Sequence, residues 1–176
     1  IKKDKKRVLV LGGSQGAKIF SQIIPKVLIG IKQEYLKNLM IVQQTRKEDK
    51  TILESTYNKL NVKCTVKEFF DDVQNEIYNS DIVIARCGAS TLAEIEYCKK
   101  FSLLFPLPTA MDDHQLENAK QFKKKNDCQI YNQNNIPYSK LRELLKSQLF
   151  YKNEIKTNLQ ESKKISLIKF IDDIIQ

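Results

Sequence analysis

Arg7-Val8-Leu9-Val10-Leu11-Gly12-Gly13-Ser14-Gln15-Gly16-Ala17 decides the fold. After Arg7 no polar side chain interrupts the run to Leu11, which is the pattern of a strand buried on both faces. Three glycines in five residues then make a tight loop. Over about 17–31 the apolar residues Phe20, Ile23, Ile24, Val27, Leu28 and Ile31 recur at helical spacing. Strand, glycine loop and helix together form the opening unit of a parallel α/β sheet.

Working outward, the alternation repeats along the chain. Strands are expected over 39–42, 62–69, 81–85, 101–105 and 128–131. Helices are expected over 48–60, 72–79, 91–98, 114–125, 139–149 and 153–175, the last with an apolar stripe of Ile168, Ile171, Ile174 and Ile175. The fold class is therefore α/β: a Rossmann-like, doubly wound parallel sheet of about six strands, in a single domain spanning 1–176 with 1–6 as a charged linker. Ligands of such a sheet bind at the carboxyl ends of the strands, so the loops there carry the chemistry.

Composition narrows the partners. The formal net charge of +9 suits anionic partners, and equally a Lys-rich surface serving only solubility. A nucleic-acid module would interleave aromatics with Lys and Arg on one surface, whereas Phe20, Phe69, Phe101 and Phe105 fall in expected core segments, so nucleic acid is not the expected partner. Cys64, Cys87, Cys98 and Cys128 form no C-x-x-C pair and there is one histidine, which disfavours a zinc site. With no secretory signal and no long apolar run, the chain reads as cytoplasmic with reduced thiols. A start at Ile1 rather than Met reads as a piece of a longer chain.

Four loops stand out. Gly12 to Ala17 offers close backbone approach and helix-start amides, which suits a phosphate; the bland alternative is a plain strand–helix turn. It is not the dinucleotide fingerprint, because Leu11 stands where a glycine is required, and Gln43-Gln44 replaces the ribose-binding acid. It also matches G-x-S-x-G, a hydrolase elbow with Ser14 as nucleophile and His114 as the one available base. Phe69-Phe70-Asp71-Asp72 ends the third strand, with Asp71 as a helix N-cap or the Phe70 backbone as a nucleobase contact. Arg86-Cys87-Gly88-Ala89-Ser90-Thr91 is followed by Glu94, which either closes a capping box with Thr91 or holds a ribose. Two prolines, Pro106 and Pro108, lead to His114, Gln115 and Asn118, which open a helix and can share one face as a clamp for sugar hydroxyls.

Taken together, VLVLGGSQGA (8–17), FFDD (69–72), DIVIARCGASTLAE (81–94) and DDHQLENA (112–119) resemble the C-terminal domain of the MurG family. These are UDP-N-acetylglucosamine:N-acetylmuramyl-(pentapeptide) pyrophosphoryl-undecaprenol N-acetylglucosamine transferases, inverting enzymes built as two Rossmann-like halves, the GT-B arrangement. The resemblance implies a UDP-N-acetylglucosamine donor site. Ser14, Gln15 and Gly16 would meet the phosphates, and Arg86, Gly88, Ala89 and Ser90 would line the diphosphate. The Phe70 backbone would hold uracil, Glu94 the ribose, and His114 and Gln115 the sugar hydroxyls. It also implies no metal or other cofactor, in keeping with the absence of a D-x-D motif from the strand-end loops. The acceptor, undecaprenyl-pyrophosphoryl-MurNAc-pentapeptide, and the general base would belong to an N-terminal domain absent from these residues. The whole enzyme would sit peripherally on the cytoplasmic face of the inner membrane, with its anionic surface as a partner, and this half alone would not transfer. A stand-alone donor-binding subunit that recruits a separate membrane partner is the alternative.

Overall fold

The computed structural model describes residues 5–13, 18–108 and 114–151. Six strands form one parallel sheet: β1 (Lys6–Leu11), β2 (Leu39–Gln44), β3 (Lys63–Lys67), β4 (Ile82–Ala85), β5 (Ser102–Leu104) and β6 (Cys128–Ile130), in the order β3-β2-β1-β4-β5-β6. Among the described residues seven helices connect and flank them: α1 (Lys18–Ile29), α2 (Gln33–Leu36), α3 (Lys47–Lys59), α4 (Val73–Tyr78), α5 (Ala89–Tyr97), α6 (His114–Lys123) and α7 (Tyr138–Lys146), the last continued by a π-helical turn, Ser147–Tyr151. The doubly wound reading is correct, and the order reverses between β1 and β4.

The apolar strands explain the two layers. Side chains alternate across a strand. Val8, Val10, Ile41, Ile82, Ile84 and Leu103 therefore point to one face, where Phe20, Ile24, Val27 and Leu28 of α1 and Leu141 and Leu145 of α7 cover them. Leu9, Leu11, Val42, Val83, Ala85 and Leu104 point to the other, beneath Ile77 of α4, Leu92 and Ile95 of α5, and Ala119 and Phe122 of α6. A strand with covers on both sides favours apolar residues, hence the nearly unbroken runs, with Gln43 of β2 and Ser102 of β5 as buried polar exceptions.

Some boundaries differ from expectation. α2 was not foreseen, since four residues are too few to show a period. β3 stops at Lys67, two residues short, so Phe69 leaves the ladder and is 70% exposed while Phe70 turns into the core. The expectation that Phe69 is a core residue is thereby corrected. Asp72, not Asp71, caps α4: its carboxylate accepts from the Asn75 amide at 2.9 Å. The expected helix over 153–175, with Ile168, Ile171, Ile174 and Ile175, lies outside the described residues.

Candidate functional site

β1 and β4 are neighbours in register, Leu11 beside Ala85, so the turns that follow them leave the same edge of the sheet side by side. In a doubly wound fold this reversal point opens a crevice at the carboxyl ends of the strands. The first turn begins with Gly12, which is buried, and Gly13 at φ +77°, a left-handed backbone that glycine adopts without strain. Ser14, Gln15 and Gly16 lie outside the described residues.

The second turn runs through Arg86 and Cys87 to Gly88, which opens α5 with extended backbone (φ −66°, ψ 141°) and no side-chain cap. The first turn of the helix is closed by the Leu92 amide on the Gly88 carbonyl at 3.0 Å. The helix therefore starts at Ala89, two residues before the expected position, and Thr91 lies within its first turn. That removes the capping-box reading of Thr91 and Glu94. Helix geometry leaves the amides of Ala89, Ser90 and Thr91 without partners inside the helix, and they face the carboxyl edge with the positive end of the helix dipole. A methyl group placed on Gly88 would meet nothing within 4 Å among the described residues. Ala89 and Ser90 are exposed.

Phe70 and Glu94 lie on one side of the sheet. The Phe70 ring packs in the core layer that holds Leu92 and Ile95, with the Lys67 ammonium 5.9 Å from its centre. This anchors the backbone at residue 70 on the carboxyl edge. Bonds from Thr45 N–H to the Lys67 carbonyl (2.9 Å) and from Gln44 Nε2 to the Glu68 carbonyl (3.1 Å) tie the exit of β3 to that of β2. Glu94 is half-buried on α5, one turn behind the open amides.

The Arg86 guanidinium is held by the loops after β5 and β6. Nη1 donates to the carbonyls of Phe105 (3.0 Å) and Pro106 (3.3 Å), and Nη2 to Gln133 Oε1 (2.6 Å). The group lies 5.4 Å from the centre of the Phe20 ring, and burial pulls its pKa below the usual guanidinium value. Its work is to tie the end of β4 to the loops after β5 and β6. His114 is exposed at the start of α6. Gln115 is half-buried, and its Oε1 accepts from the amides of Cys87 (3.1 Å) and Leu107 (3.0 Å). Asn118 donates from Nδ2 to the Cys87 carbonyl at 3.2 Å. Gln115 and Asn118 do share a face, as expected, and that face grips the turn after β4. The Cys87 thiol is buried and its pKa is pushed up to about 12, so at neutral pH it is an uncharged core group.

The sequence showed which loops gather at the edge. It did not show the inward use of Arg86 or the Asn118 contact, whose partners stand 19 to 47 positions away. Among the described residues no group of three or more His, Cys, Asp and Glu could hold a metal ion. No helix among them is long and apolar enough to cross a membrane.

A reversal of strand order, flanked by a glycine turn on one side and an open helix start on the other, defines a Rossmann-like domain with a ligand crevice at its switch point. Residues 7–176 match the family model of the glycosyltransferase family 28 C-terminal domain, and the chain belongs to that family. It is 39% identical over 139 residues to a UDP-N-acetylglucosamine--N-acetylmuramyl-(pentapeptide) pyrophosphoryl-undecaprenol N-acetylglucosamine transferase of Rickettsia bellii, covering 78% of this chain and 39% of that protein. The Brucella melitensis (biotype 2) protein of the same name is 36% identical over 162 residues, covering 92% of this chain and 42% of that protein. Among solved structures, the crystal structure of Acinetobacter baumannii MurG superposes with a TM-score of 0.72 at 26% identity, covering 83% of this chain and 43% of that one. The chain thus spans about two fifths of the length of the relatives it matches.

Proposed function

We propose that this domain seats the UDP-N-acetylglucosamine donor of a transferase that moves N-acetylglucosamine to the C4 hydroxyl of undecaprenyl-pyrophosphoryl-MurNAc-pentapeptide. The observation that carries the reading is the pair of turns after β1 and β4, adjacent at the switch point, with the open amides of Ala89, Ser90 and Thr91 beside Gly88. The relatives named above carry this donor and acceptor in their names, and their likeness supports the assignment.

In this reading the diphosphate lies across the two turns, gripped by the loop of Ser14, Gln15 and Gly16 and by the start of α5. The uracil meets the backbone of Phe70, and the Glu94 carboxylate accepts from the ribose hydroxyls. His114 and Gln115 face the sugar. Because Oε1 of Gln115 is engaged by two amides, its Nε2 is the group left for a sugar oxygen. Arg86 acts from behind, fixing the turn rather than touching phosphate. Attack of the muramyl hydroxyl on the anomeric carbon forms the new glycosidic bond and breaks the bond to the β-phosphate oxygen. The hydroxyl proton goes to a base on the acceptor side, outside this domain. Negative charge grows on the departing UDP, and preorganised amides with a helix dipole aimed at it stabilise that charge without a metal. The acceptor's lipid places the whole enzyme at the cytoplasmic face of the membrane. Glycosyltransferase membership displaces the hydrolase reading of Ser14.

Calorimetric titration with UDP-N-acetylglucosamine, UDP-glucose and UDP tests the proposal. UDP-N-acetylglucosamine is expected to bind more tightly than UDP-glucose, and Glu94→Ala to weaken all three by about 1–3 kcal/mol through lost charge-assisted hydrogen bonds. Unaltered affinity in the variant would remove Glu94 from the site.

A further inference from the structure

The peptide groups of Cys87 lie beyond the sheet ladder, which pairs β4 with β5 only as far as Ala85 and Leu104. Buried main-chain groups in such a place need other partners. α6 supplies both. The Cys87 N–H donates to Gln115 Oε1 at 3.1 Å, and the Cys87 carbonyl accepts from Asn118 Nδ2 at 3.2 Å. Residues three apart share a helix face, so one face of α6 clamps a single residue from both sides. The Cys87 side chain is fully buried, which leaves the residue no freedom to swing away. The next residue is Gly88, whose carbonyl closes the first turn of α5. Fixing Cys87 therefore fixes the direction in which the Ala89, Ser90 and Thr91 amides point.

We propose that Asn118, with Oε1 of Gln115, is a positioning residue for the diphosphate, acting through the Cys87 peptide rather than by touching the sugar. The inference rests on the donor-site reading above. A sugar contact by Asn118 would require Nδ2 to leave the Cys87 carbonyl, and that acceptor would then be unpaired beside a buried side chain, which is costly. Holding the clamp and the sugar side on the same helix couples the two subsites: α6 cannot shift toward the sugar without carrying the start of α5.

Three ligands separate the possibilities. Uridine reads the base and ribose, UDP adds the diphosphate, and UDP-N-acetylglucosamine adds the sugar. In NMR titrations of the full 176-residue chain, Asn118→Ala is expected to weaken UDP and UDP-N-acetylglucosamine by the same factor, about three- to tenfold for one lost hydrogen bond. Uridine affinity stays unchanged. A loss confined to UDP-N-acetylglucosamine makes Asn118 a sugar ligand and overturns the proposal. An equal loss for all three ligands, or no loss, also overturns it. Gln115→Met, which removes the acceptor for the Cys87 amide, is an independent variant should Asn118→Ala not fold. It must weaken UDP and spare uridine, and unchanged UDP binding contradicts the clamp. If the unsubstituted chain binds none of the three, the donor-site reading itself fails, and the positioning role with it.

Discussion

Gly88 and Gly13 illustrate how differently two glycines in one crevice act. Gly13 stands at φ +77°, where a side chain is strained whatever the surrounding space. Gly88 has φ −66°, open to any residue, and a Cβ there meets nothing within 4 Å among the described residues. Among the described residues nothing demands glycine at 88, whereas in the proposed donor site a phosphate would approach the start of α5 there. Gly88→Ala is expected to change stability by less than about 1 kcal/mol in thermal melts. UDP affinity should nevertheless fall at least severalfold in titration. Equal affinity would mean that no ligand passes over this turn. Part of this scale was legible: Gly12 and Gly13 after β1, Gly88 after β4 and Phe70 after β3 all follow the carboxyl ends of strands. Thr91 and Glu94 were not decided by their spacing, because a capping box and a ribose ligand use the same pattern; the helix start removes the capping box. The contacts of Arg86 were hidden for another reason. A cation beside a phosphate loop reads as a phosphate ligand in the sequence, and its carbonyl partners, in the loop after β5, stand 19 and 20 positions away.

Among the elements, α1 shows how a crossover helix is locked. Its last carbonyls, on Lys26 and Val27, accept from Arg142 of α7 at 3.3 and 3.1 Å, a cation at a helix carboxyl end where the dipole favours it. Gly30 makes room for that guanidinium, since a Cβ there would fall 2.2 Å from Arg142 Nε. Gly30→Ala is expected to push the guanidinium away and cost about 1–2 kcal/mol, seen as a lower midpoint in chemical unfolding. A midpoint at or above that of the parent chain would deny Arg142 this role. Strong periodicity made α1 readable, although its expected end near Ile31 overshot the observed end at Ile29. α2 carries no such signal. The early end of β3 could not be read either, because Phe69 and Phe70 are both apolar and only the ladder decides which one turns inward.

Across the whole molecule the strand order is what turns separate loops into one site. Runs of apolar residues and alternating helices gave six parallel strands, but neither fixes which strands are neighbours. The order β3-β2-β1-β4-β5-β6 does, and it brings the turns after β1 and β4 together over sequence separations of more than 70 residues. The opposite edge, where Lys37, Asn61 and Lys99 precede strands, has no part in the proposed chemistry. Amide-resolved NMR during titration with UDP-N-acetylglucosamine tests the central claim most directly. Perturbations should gather at Phe70, Gly88, Ala89, Ser90 and Glu94, with Lys37, Asn61 and Lys99 unmoved. Shifts gathered at that opposite edge, or spread over the outer helix faces with the switch-point turns silent, would contradict it.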